Sequence, residues 1–321
     1  MKRGLICWDQ EELPRSAFET RLDRIRQELI TRNVPALVVY TDIWKSNQGR
    51  FVSNVMPYWN RALLIVPREG DPVLLCALSP RVYPWIRSVT ILTDIRPGAN
   101  LAQALLQLCA EKHWTRIGAL DFSQFPYDLY SQVGEKIETF DVPSKLLHRP
   151  DVWELPMYRT AVQMARRILD EAIPSAAGLL DYQFSGNLER QFRLAGAEDL
   201  VIRMTNGQAP PGPARGMQLG PQLSVSVALE YRGHWVKIAR TNAEPQLASA
   251  IRAKFEHAIF TIAGNDARLE NLSGLYPYES CALDHLPNNG LLAICVEAKR
   301  DSGRLFYGDT CLIAQQGAQI L

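Results

Sequence analysis

Residues 223–241 form the segment that most constrains how this chain can fold. From residue 223 to residue 231, large apolar residues alternate with small or polar ones, which is the period of a half-buried β-strand. Residues 234–241 contain the β-branched and aromatic residues typical of a second strand, and Arg232 and Gly233 supply a turn between them. The segment therefore predicts two paired strands whose side chains point alternately to opposite faces.

This hairpin resembles the paired active-site strands of the pita-bread superfamily, which includes methionine aminopeptidase, prolidase, Xaa-Pro aminopeptidase and creatinase. The superfamily pattern reads approximately V-x-V-D-x-G-x-x-Y-x-G-Y-x-x-D-x-T-R-T. The positions of the pattern that this chain retains are Tyr231, Gly233, Arg240 and Thr241. The resemblance implies that the two Asp positions, which bind a pair of divalent metals, correspond to Ser226 and Lys237. Because a hydroxyl ligates such metals weakly and an ammonium repels them, the resemblance predicts the fold without the metallopeptidase chemistry.

Size, charge and cysteine distribution are those of an ordinary globular protein. The 321 residues are enough for two domains, and 35 basic against 34 acidic residues give a net charge of +1. This balance does not favour nucleic acid as a partner, and no apolar run is long enough to span a membrane. The six cysteines are scattered without a C-x-x-C pair, which indicates reduced thiols, and the first residues contain no signal-peptide core. We therefore expect a cytoplasmic protein.

The pattern of helices and strands divides the chain into two predicted domains. In residues 1–145, strand-like runs alternate with amphipathic helices, including a strand expected at Val89–Leu92, and this order is typical of an α/β layer. Prolines near residues 143–152 indicate a linker. In residues 152–321, helices come first and antiparallel strands follow, which predicts an α+β domain.

Further motifs extend the resemblance along nearly the whole chain. Residues 21–29 and Arg50–Asn54 are similar to the creatinase-type N-terminal domain, and Trp153–Leu169 is similar to the linker and first helix of the catalytic domain. Residues 308–321 are similar to the superfamily's closing pattern E-D-T-x-L-V-T-x-x-G-x-x-x-L. The resemblance thus implies an α/β creatinase-like N-terminal domain and an α+β pita-bread C-terminal domain, with no additional C-terminal module expected.

The resemblance implies five metal-binding positions, of which this chain keeps one. Besides Ser226 and Lys237, the His position corresponds to Leu275, and the two Glu positions correspond to Glu297 and Gly308. A single carboxylate does not hold a divalent metal against water, so we expect no metal and no other cofactor.

Lys237, Glu297 and His234 are the candidate catalytic residues. Strand alternation places Lys237 on the face of the missing Asp, and Glu297 would face it from neighbouring strands, so we expect a Lys237–Glu297 salt bridge. Either this pair stabilises a degenerate site, or Lys237 anchors a substrate carboxylate or acts as a base. His234 is either an acid–base group or an aromatic-like packing residue. Creatinase, a metal-free member, uses a His before the hairpin, but residues 206–213 contain none, so creatinase activity does not follow.

Four other residues are candidates for substrate binding. Arg240 belongs to the retained R-T pair, for which a structural role is the alternative. Arg215 lies in a Pro/Gly-rich loop that corresponds to a substrate-facing region of the relatives. His285 and Tyr278 lie where the relatives carry further functional residues, and an ordinary loop position is the alternative for both.

Two main functions follow from these observations. The first is a catalytically degenerate subunit that forms a homodimer or a heteromer with an active pita-bread paralogue. The second is a metal-independent, creatinase-like hydrolase or lyase of a small polar C–N substrate, and not a metallopeptidase. A protein-binding module is a third reading with less support. Large aromatic residues in the first domain, among them Trp44 and Trp85, favour association through that domain.

Overall fold

The computed structural model of the chain describes residues 7–57, 60–140, 150–261, 267–271, 290–300, 303–314 and 317–321. The chain divides into two compact units, Lys2–Leu147 and His148–Leu321. The first contains a mixed sheet with helices between its strands, and the second contains an antiparallel sheet. This arrangement confirms the predicted fold class.

The first unit is built on a six-stranded mixed sheet. Its strands are β1 (Ala36–Asp42), β2 (Arg61–Pro67), β3 (Val73–Cys76), β4 (Asp94–Pro97), β5 (Ile117–Leu120) and β6 (Ile137–Thr139). Its helices are α1 (Arg15–Thr31), α2 (Asn47–Ser53), α3 (Tyr83–Val89), α4 (Leu101–Glu111) and α5 (Tyr127–Val133). The order across the sheet is β4-β3-β2-β1-β5-β6. Apolar side chains of the strands, such as Val38 and Ile65, form a core with Leu105 of α4 and Leu129 of α5.

The prediction of a strand at Val89–Leu92 is wrong. Val89 is the last residue of α3, and the next strand, β4, begins at Asp94. The buried Thr90 hydroxyl donates to the carbonyl of Ile86 and accepts from the backbone N–H of Leu92. The β-branched residues therefore line a buried helix end, where a local hydroxyl replaces the ladder bonds that a strand would need.

The second unit is built on an antiparallel sheet. Its strands are β7 (Asp199–Thr205), β8 (Leu223–Tyr231), β9 (His234–Asn242), β10 (Ala267–Asn271), β11 (Leu291–Arg300), β12 (Gly303–Ala314) and β13 (Gly317–Ile320). Its helices are α6 (Glu154–Ala172), α7 (Asp181–Leu194) and α8 (Pro245–Thr261). The order is β10-β11-β12-β9-β8-β7, and β13 pairs with β12. The predicted hairpin is present as β8 and β9, with Arg232 and Gly233 at positive φ in its turn.

The three helices of this unit pack against one face of the sheet, which we call the helix face. Val227 and Ile238 join the core formed with α6 and α7, and Ile294 joins the core formed with Phe255 of α8. The opposite face, which we call the site face, is defined by Arg203, Ser226, Lys237, Gly308 and Cys295. Because successive residues of a strand alternate between faces, every strand of the hairpin contributes to both.

Candidate functional site

A single row of directly opposed residues crosses the middle of the site face. Arg203 on β7 is opposite Ser226 on β8, which is opposite Ala239 on β9. Ala239 is opposite Gly308 on β12, and Gly308 is opposite Cys295 on β11. Directly opposed residues of an antiparallel sheet share a face and lie about 5 Å apart at their Cβ atoms. The row therefore has three small residues, Ser226, Ala239 and Gly308, between Arg203 and Cys295, and it continues to Arg268 on β10.

Lys237 lies beside this row on the same face. It is two residues from Ala239 and is opposite Ala228 on β8. The Thr310 hydroxyl fixes its backbone, because it accepts from the Lys237 N–H at 2.9 Å and donates to the Lys237 carbonyl at 3.1 Å. The backbone of Lys237 therefore lies about 7 Å along β9 from Ala239, on the same face of the sheet.

Glu297 is on the site face but is not the residue beside Gly308. That neighbour is Cys295, and Glu297 lies two residues further along β11. The carboxylate of Glu297 forms an ion pair with the guanidinium of Arg304. This pairing corrects the expected Lys237–Glu297 salt bridge. In the register of β11 against β12, Glu297 is opposite Phe306, so Arg304 is diagonal to Glu297 and supplies a nearby cation for this carboxylate.

Gly308 has no room for a side chain. A Cβ atom added at this residue would lie 2.5 Å from Cys295 Sγ and 2.6 Å from the carbonyl oxygen of Ile294. Real Cβ atoms do not approach a backbone oxygen this closely, so the backbone of β11 would have to move. A carboxylate at position 308 is therefore incompatible with the present packing of β11 against β12.

The donor set on the site face does not fit a divalent metal. The superfamily's Asp and Glu positions on these strands are occupied by Ser226, Lys237 and Gly308, and Glu297 is paired with Arg304. Over the part of the chain that the structure describes, no group of three or more His, Cys, Asp or Glu side chains is placed to hold a metal. Divalent cations need several convergent oxygen or nitrogen ligands, and an ammonium in the site opposes them.

His234 lies on the helix face, away from Lys237. Its Nε2 atom is 3.2 Å from Oε1 of Glu154 in α6, and its ring contacts Tyr158 edge-on with centroids 4.8 Å apart. The side chain is buried. The structure thus places His234 where it joins β9 to α6, and does not bring it together with Lys237.

Arg240 also lies on the helix face, in a buried ionic network. Its Nη2 atom donates to Asp309 Oδ2 at 2.9 Å, and its Nη1 atom donates to the carbonyl of Gly308 at 2.8 Å. Arg166 of α6 donates to the same Asp309 oxygen at 2.9 Å. Asp170, also on α6, is 3.6 Å from Arg240. Arg240 therefore connects β9, β12 and α6 and is not grouped with the site-face candidates.

Arg215 is positioned by its backbone, and its side chain is exposed. Its N–H donates to Asp181 Oδ2 at 2.7 Å, and the N–H of Gly216 donates to Oδ1 at 2.9 Å. Asp181 is the first residue of α7, so these bonds attach the Pro/Gly-rich loop to the helix layer. The other two substrate-binding candidates, His285 and Tyr278, lie outside the described residues, as does Leu275.

Sequence reasoning missed three residues that define these two faces. Arg203 belongs to β7, a strand that was not predicted. Cys295 is two residues from Glu297, and strand alternation alone indicates that it shares the same face. Asp309 stands as a charge inside an apolar strand-like run, which is a signal for a buried ion pair, and Arg240 was available to pair with it.

Sequence comparisons find no relative: neither a known family model nor a curated protein matches this chain. Comparison with solved structures does find matches. The X-Pro aminopeptidase of Thermotoga maritima superposes with a TM-score of 0.74 at 13% identity, covering 93% of this chain and 96% of that one. The prolidase of Pyrococcus horikoshii gives 0.70 at 13% identity over 94% and 97%. The prolidase of Pyrococcus furiosus gives 0.68 at 15% identity over 93% and 98%.

These similarities show the fold. The chain has the pita-bread, creatinase-like architecture of prolidases and Xaa-Pro aminopeptidases over nearly its whole length. At this level of identity the likeness does not extend to activity, which depends on the particular residues of the site. Within the described ranges, no helix combines the length and the apolar character needed to cross a membrane.

Proposed function

We propose that this chain is a non-metallo pita-bread homologue, a catalytically degenerate subunit that assembles with itself or with an active paralogous hydrolase. The main support for the proposal is the set of residues on the site face, namely the row through Ser226, Ala239, Gly308 and Cys295 with Lys237 beside it. The fold supplies the positions from which the superfamily binds metal, and the side chains at those positions do not suit a cation.

The enclosure of Gly308 strengthens this proposal. An exchange of Ser226 and Lys237 for Asp would return two carboxylates, but position 308 would still exclude one, because β11 occupies the space. The loss of metal ligands is thus built into the strand packing and is not limited to two side chains. This supports a role that depends on the shape of the fold and on association.

Metal content tests the first part of the proposal. The chain is purified after growth with added manganese, cobalt and zinc and is analysed for elements, with the prolidase of Pyrococcus furiosus prepared in parallel as a positive control. We expect no stoichiometric metal and no metal-dependent hydrolysis of Xaa-Pro dipeptides. One equivalent of a divalent metal per chain, retained through gel filtration, would reject the proposal.

Assembly tests the second part. Trp44 is 64% exposed and Tyr127 is 81% exposed on the first unit, and large exposed aromatic residues are enriched at protein interfaces. We expect a dimer or larger species in analytical ultracentrifugation, or a complex with a pita-bread paralogue from the same organism when the two are co-expressed. A monomer that turns over a substrate on its own would reject this part.

The alternative, a metal-independent hydrolase of a small polar C–N substrate, receives less support. Acid–base catalysis needs groups that converge on one substrate, whereas His234 and Lys237 lie on opposite faces of β9. If the purified homomer shows such an activity, Lys237→Ala and Glu297→Gln should each abolish it without changing the size of the assembly. Activity that survives both substitutions would place the reaction elsewhere.

A further inference from the structure

We infer that a second copy of this chain pairs with the outer edge of β7 and extends the sheet of the second unit across a two-fold axis. This inference rests on the self-assembly part of the proposed function and names a surface through which the assembly forms. It is carried by the backbone of residues 199–203, by the way the chain covers the rest of the same edge, and by the order of side chains along the strand.

β7 is the last strand at one end of its sheet, and its outer edge is covered only in part. Its inner edge pairs with β8 from Asp199 to Thr205. On the outer side, Met204 exchanges both backbone hydrogen bonds with Gly212, at 2.8 and 3.0 Å. Within the described ranges, no strand pairs with the outer side of residues 199–203. All five of these residues are partly exposed, whereas β8 is buried along nearly its whole length, so the open edge is five residues long.

The bonds of Met204 show which backbone groups this open segment presents. In a strand the N–H and C=O groups of successive residues point alternately to the two sides, so Leu200 and Ile202 face outward with Met204. The N–H of Leu200 donates to the side chain of Asp199 at 2.9 Å, a local bond that a partner strand can replace. β7 contains no Pro, Gly or Lys, the residues with which edge strands commonly prevent pairing. An edge of this kind is a template for a strand of another chain.

The geometry of the open segment fits a second copy of itself. In an antiparallel pair centred on Val201, Leu200 of each copy is opposite Ile202 of the other, so the outward-facing residues form hydrogen-bonded pairs on both sides of the axis. Such a contact is isologous, because the same surface serves both copies. A register centred on Ile202 would instead require Met204, whose outward backbone groups are already bonded to Gly212. The covered end of the edge therefore selects the register centred on Val201.

The charges at the two ends of the segment match in that same register. Asp199 of each copy is opposite Arg203 of the other, and the two side chains share a face because they are an even number of residues apart. Asp199 lies 3.8 Å from Arg193 of its own chain, and Arg203 also has a contact within its own chain. The pairing adds an opposite charge to each of them and requires neither to be free. Opposite charges directly across a pair of strands favour that pairing.

Hydrogen exchange of the purified full chain tests the inference at the backbone. The chain is measured by mass spectrometry at several protein concentrations, and sedimentation gives the dimer dissociation constant of the same samples. We expect the amides of Leu200 and Ile202 to become protected as the dimer forms. The Met204 amide is the internal control, because its bond to Gly212 is present in each copy alone. A dimer that forms without protection of Leu200 and Ile202 overturns the inference.

The substitution Val201→Lys tests the centre of the contact. It places two ammonium groups opposite each other at the axis, and we expect the dimer dissociation constant to rise at least about tenfold. Glu189→Arg on α7 is the control, because it changes the charge of a side chain that is 53% exposed and lies outside β7. It should leave the dissociation constant unchanged. An equal effect of the two substitutions overturns the inference.

A charge exchange within one chain tests the register and the identity of the partner. Asp199→Arg and Arg203→Asp should each weaken the dimer about tenfold, because each places like charges opposite one another. The double variant with both substitutions restores opposite charges only if the strand pairs with another copy of itself, and its dissociation constant should return to within about threefold of the wild type. Urea denaturation checks that each variant folds. If a single variant does not fold, the double variant and Val201→Lys decide, and a folded double variant that remains monomeric overturns the inference.

The outcomes separate this inference from the proposed function. A dimer that Val201→Lys does not weaken overturns the inference and leaves the degenerate-subunit proposal standing. A chain that is monomeric alone but binds a pita-bread paralogue through β7 overturns the choice of a second copy and supports the heteromer. Stoichiometric divalent metal in a dimer that pairs through β7 overturns the metal-free proposal and supports the inference.

Discussion

The two faces of the second sheet handle charge in different ways. On the helix face, the buried carboxylate of Asp309 receives hydrogen bonds from Arg166 and Arg240, so that its charge is matched from two sides. On the site face, the half-buried Lys237 stands beside small residues in the row through Ser226. The first arrangement is closed and connects three secondary-structure elements. In the second, the Ser226 hydroxyl makes no hydrogen bond to the residues that the structure describes.

The difference shows which structural role the retained motif residues have. Arg240 and Asp309 match the superfamily's hairpin and closing patterns, and both point to the helix face. Ser226, Lys237 and Gly308 depart from those patterns, and all three belong to the site face. Strand parity thus places the ion pair that joins the sheet to α6 on one face and these departures from the pattern on the other, while Thr241 and Thr310, which also match the patterns, lie on the site face and bond neighbouring strands. Retention of the first group is evidence of fold and not of activity.

The substitution Asp309→Asn breaks the helix-face network and should have the largest effect. Asp309 and Arg240 are nearly inaccessible to solvent, so the change removes the buried negative charge that both Arg240 and Arg166 contact. We expect a loss of about 3–5 kcal/mol in the free energy of unfolding, measured by urea denaturation. Asp170→Asn is the matched control, because that carboxylate is 63% exposed, and it should cost less than about 1 kcal/mol. Equal effects of the two substitutions would mean that the burial of Asp309 is not what makes the network important.

The substitution Gly308→Ala tests whether the site face is closed to a side chain. The new Cβ atom would meet Cys295 Sγ and the Ile294 carbonyl, so we expect a loss of about 1–3 kcal/mol by the same measurement. Gly186 in α7 offers a control of opposite sign, because nothing lies within 4 Å of an added Cβ there. Gly186→Ala should stabilise the protein by roughly 0.5–1 kcal/mol, since alanine favours the helix. A neutral Gly308→Ala would show that β11 and β12 can separate enough for a ligand carboxylate.

Most of the fold could be predicted because its strongest elements are long and periodic. The hairpin of β8 and β9 and the amphipathic α1 follow from side-chain period alone. The elements that were missed are short or polar. β6 has three residues, and the sequence pattern shows no clear end of the preceding helix before it. β7 is half-buried along most of its length. In such segments the pairing with a neighbouring strand decides the structure, and that neighbour is distant in sequence.

The site could be predicted less well, because its geometry depends on register between strands. Alternation correctly gave the face of Lys237 relative to Ser226, which belong to one hairpin. The place of Glu297 relative to Gly308 depends on the register of β11 against β12, which makes Cys295 the residue opposite Gly308. A motif aligned along the chain carries no information about such a shift by two residues, although each shift moves a side chain about 7 Å.

Acidification should weaken the attachment of the Pro/Gly-rich loop to α7. Burial alone would raise the pKa of Asp181, but hydrogen bonds from backbone N–H groups, including those of Arg215 and Gly216, lower this pKa below its ordinary value of 3.8. A lowered pKa means that the ionised form contributes stability above about pH 4, and that this contribution is lost as the pH falls through the folded pKa. Asp181→Asn should therefore cost about 1–2 kcal/mol at neutral pH and progressively less below about pH 4. Urea titrations of both proteins across this range provide the measurement. A difference that grows on acidification would show that the loop bonds do not favour the carboxylate.

The substitution Ser226→Ala should have the smallest effect on stability and bears most directly on the comparison of the two faces. Ser226 is 9% exposed and its hydroxyl makes no hydrogen bond to the described residues, so its removal should leave the unfolding free energy within about 0.5 kcal/mol. Thr310→Val, on the same face, is the matched control. The Thr310 hydroxyl bonds both backbone groups of Lys237, and its loss should cost about 1–2 kcal/mol. Denaturant titrations of the wild type and both variants in the same buffer give the comparison. If Ser226→Ala proves as costly as Thr310→Val, the hydroxyl is part of the protein's own hydrogen bonding, and the contrast between the paired charges of the helix face and this hydroxyl of the site face fails at its central residue.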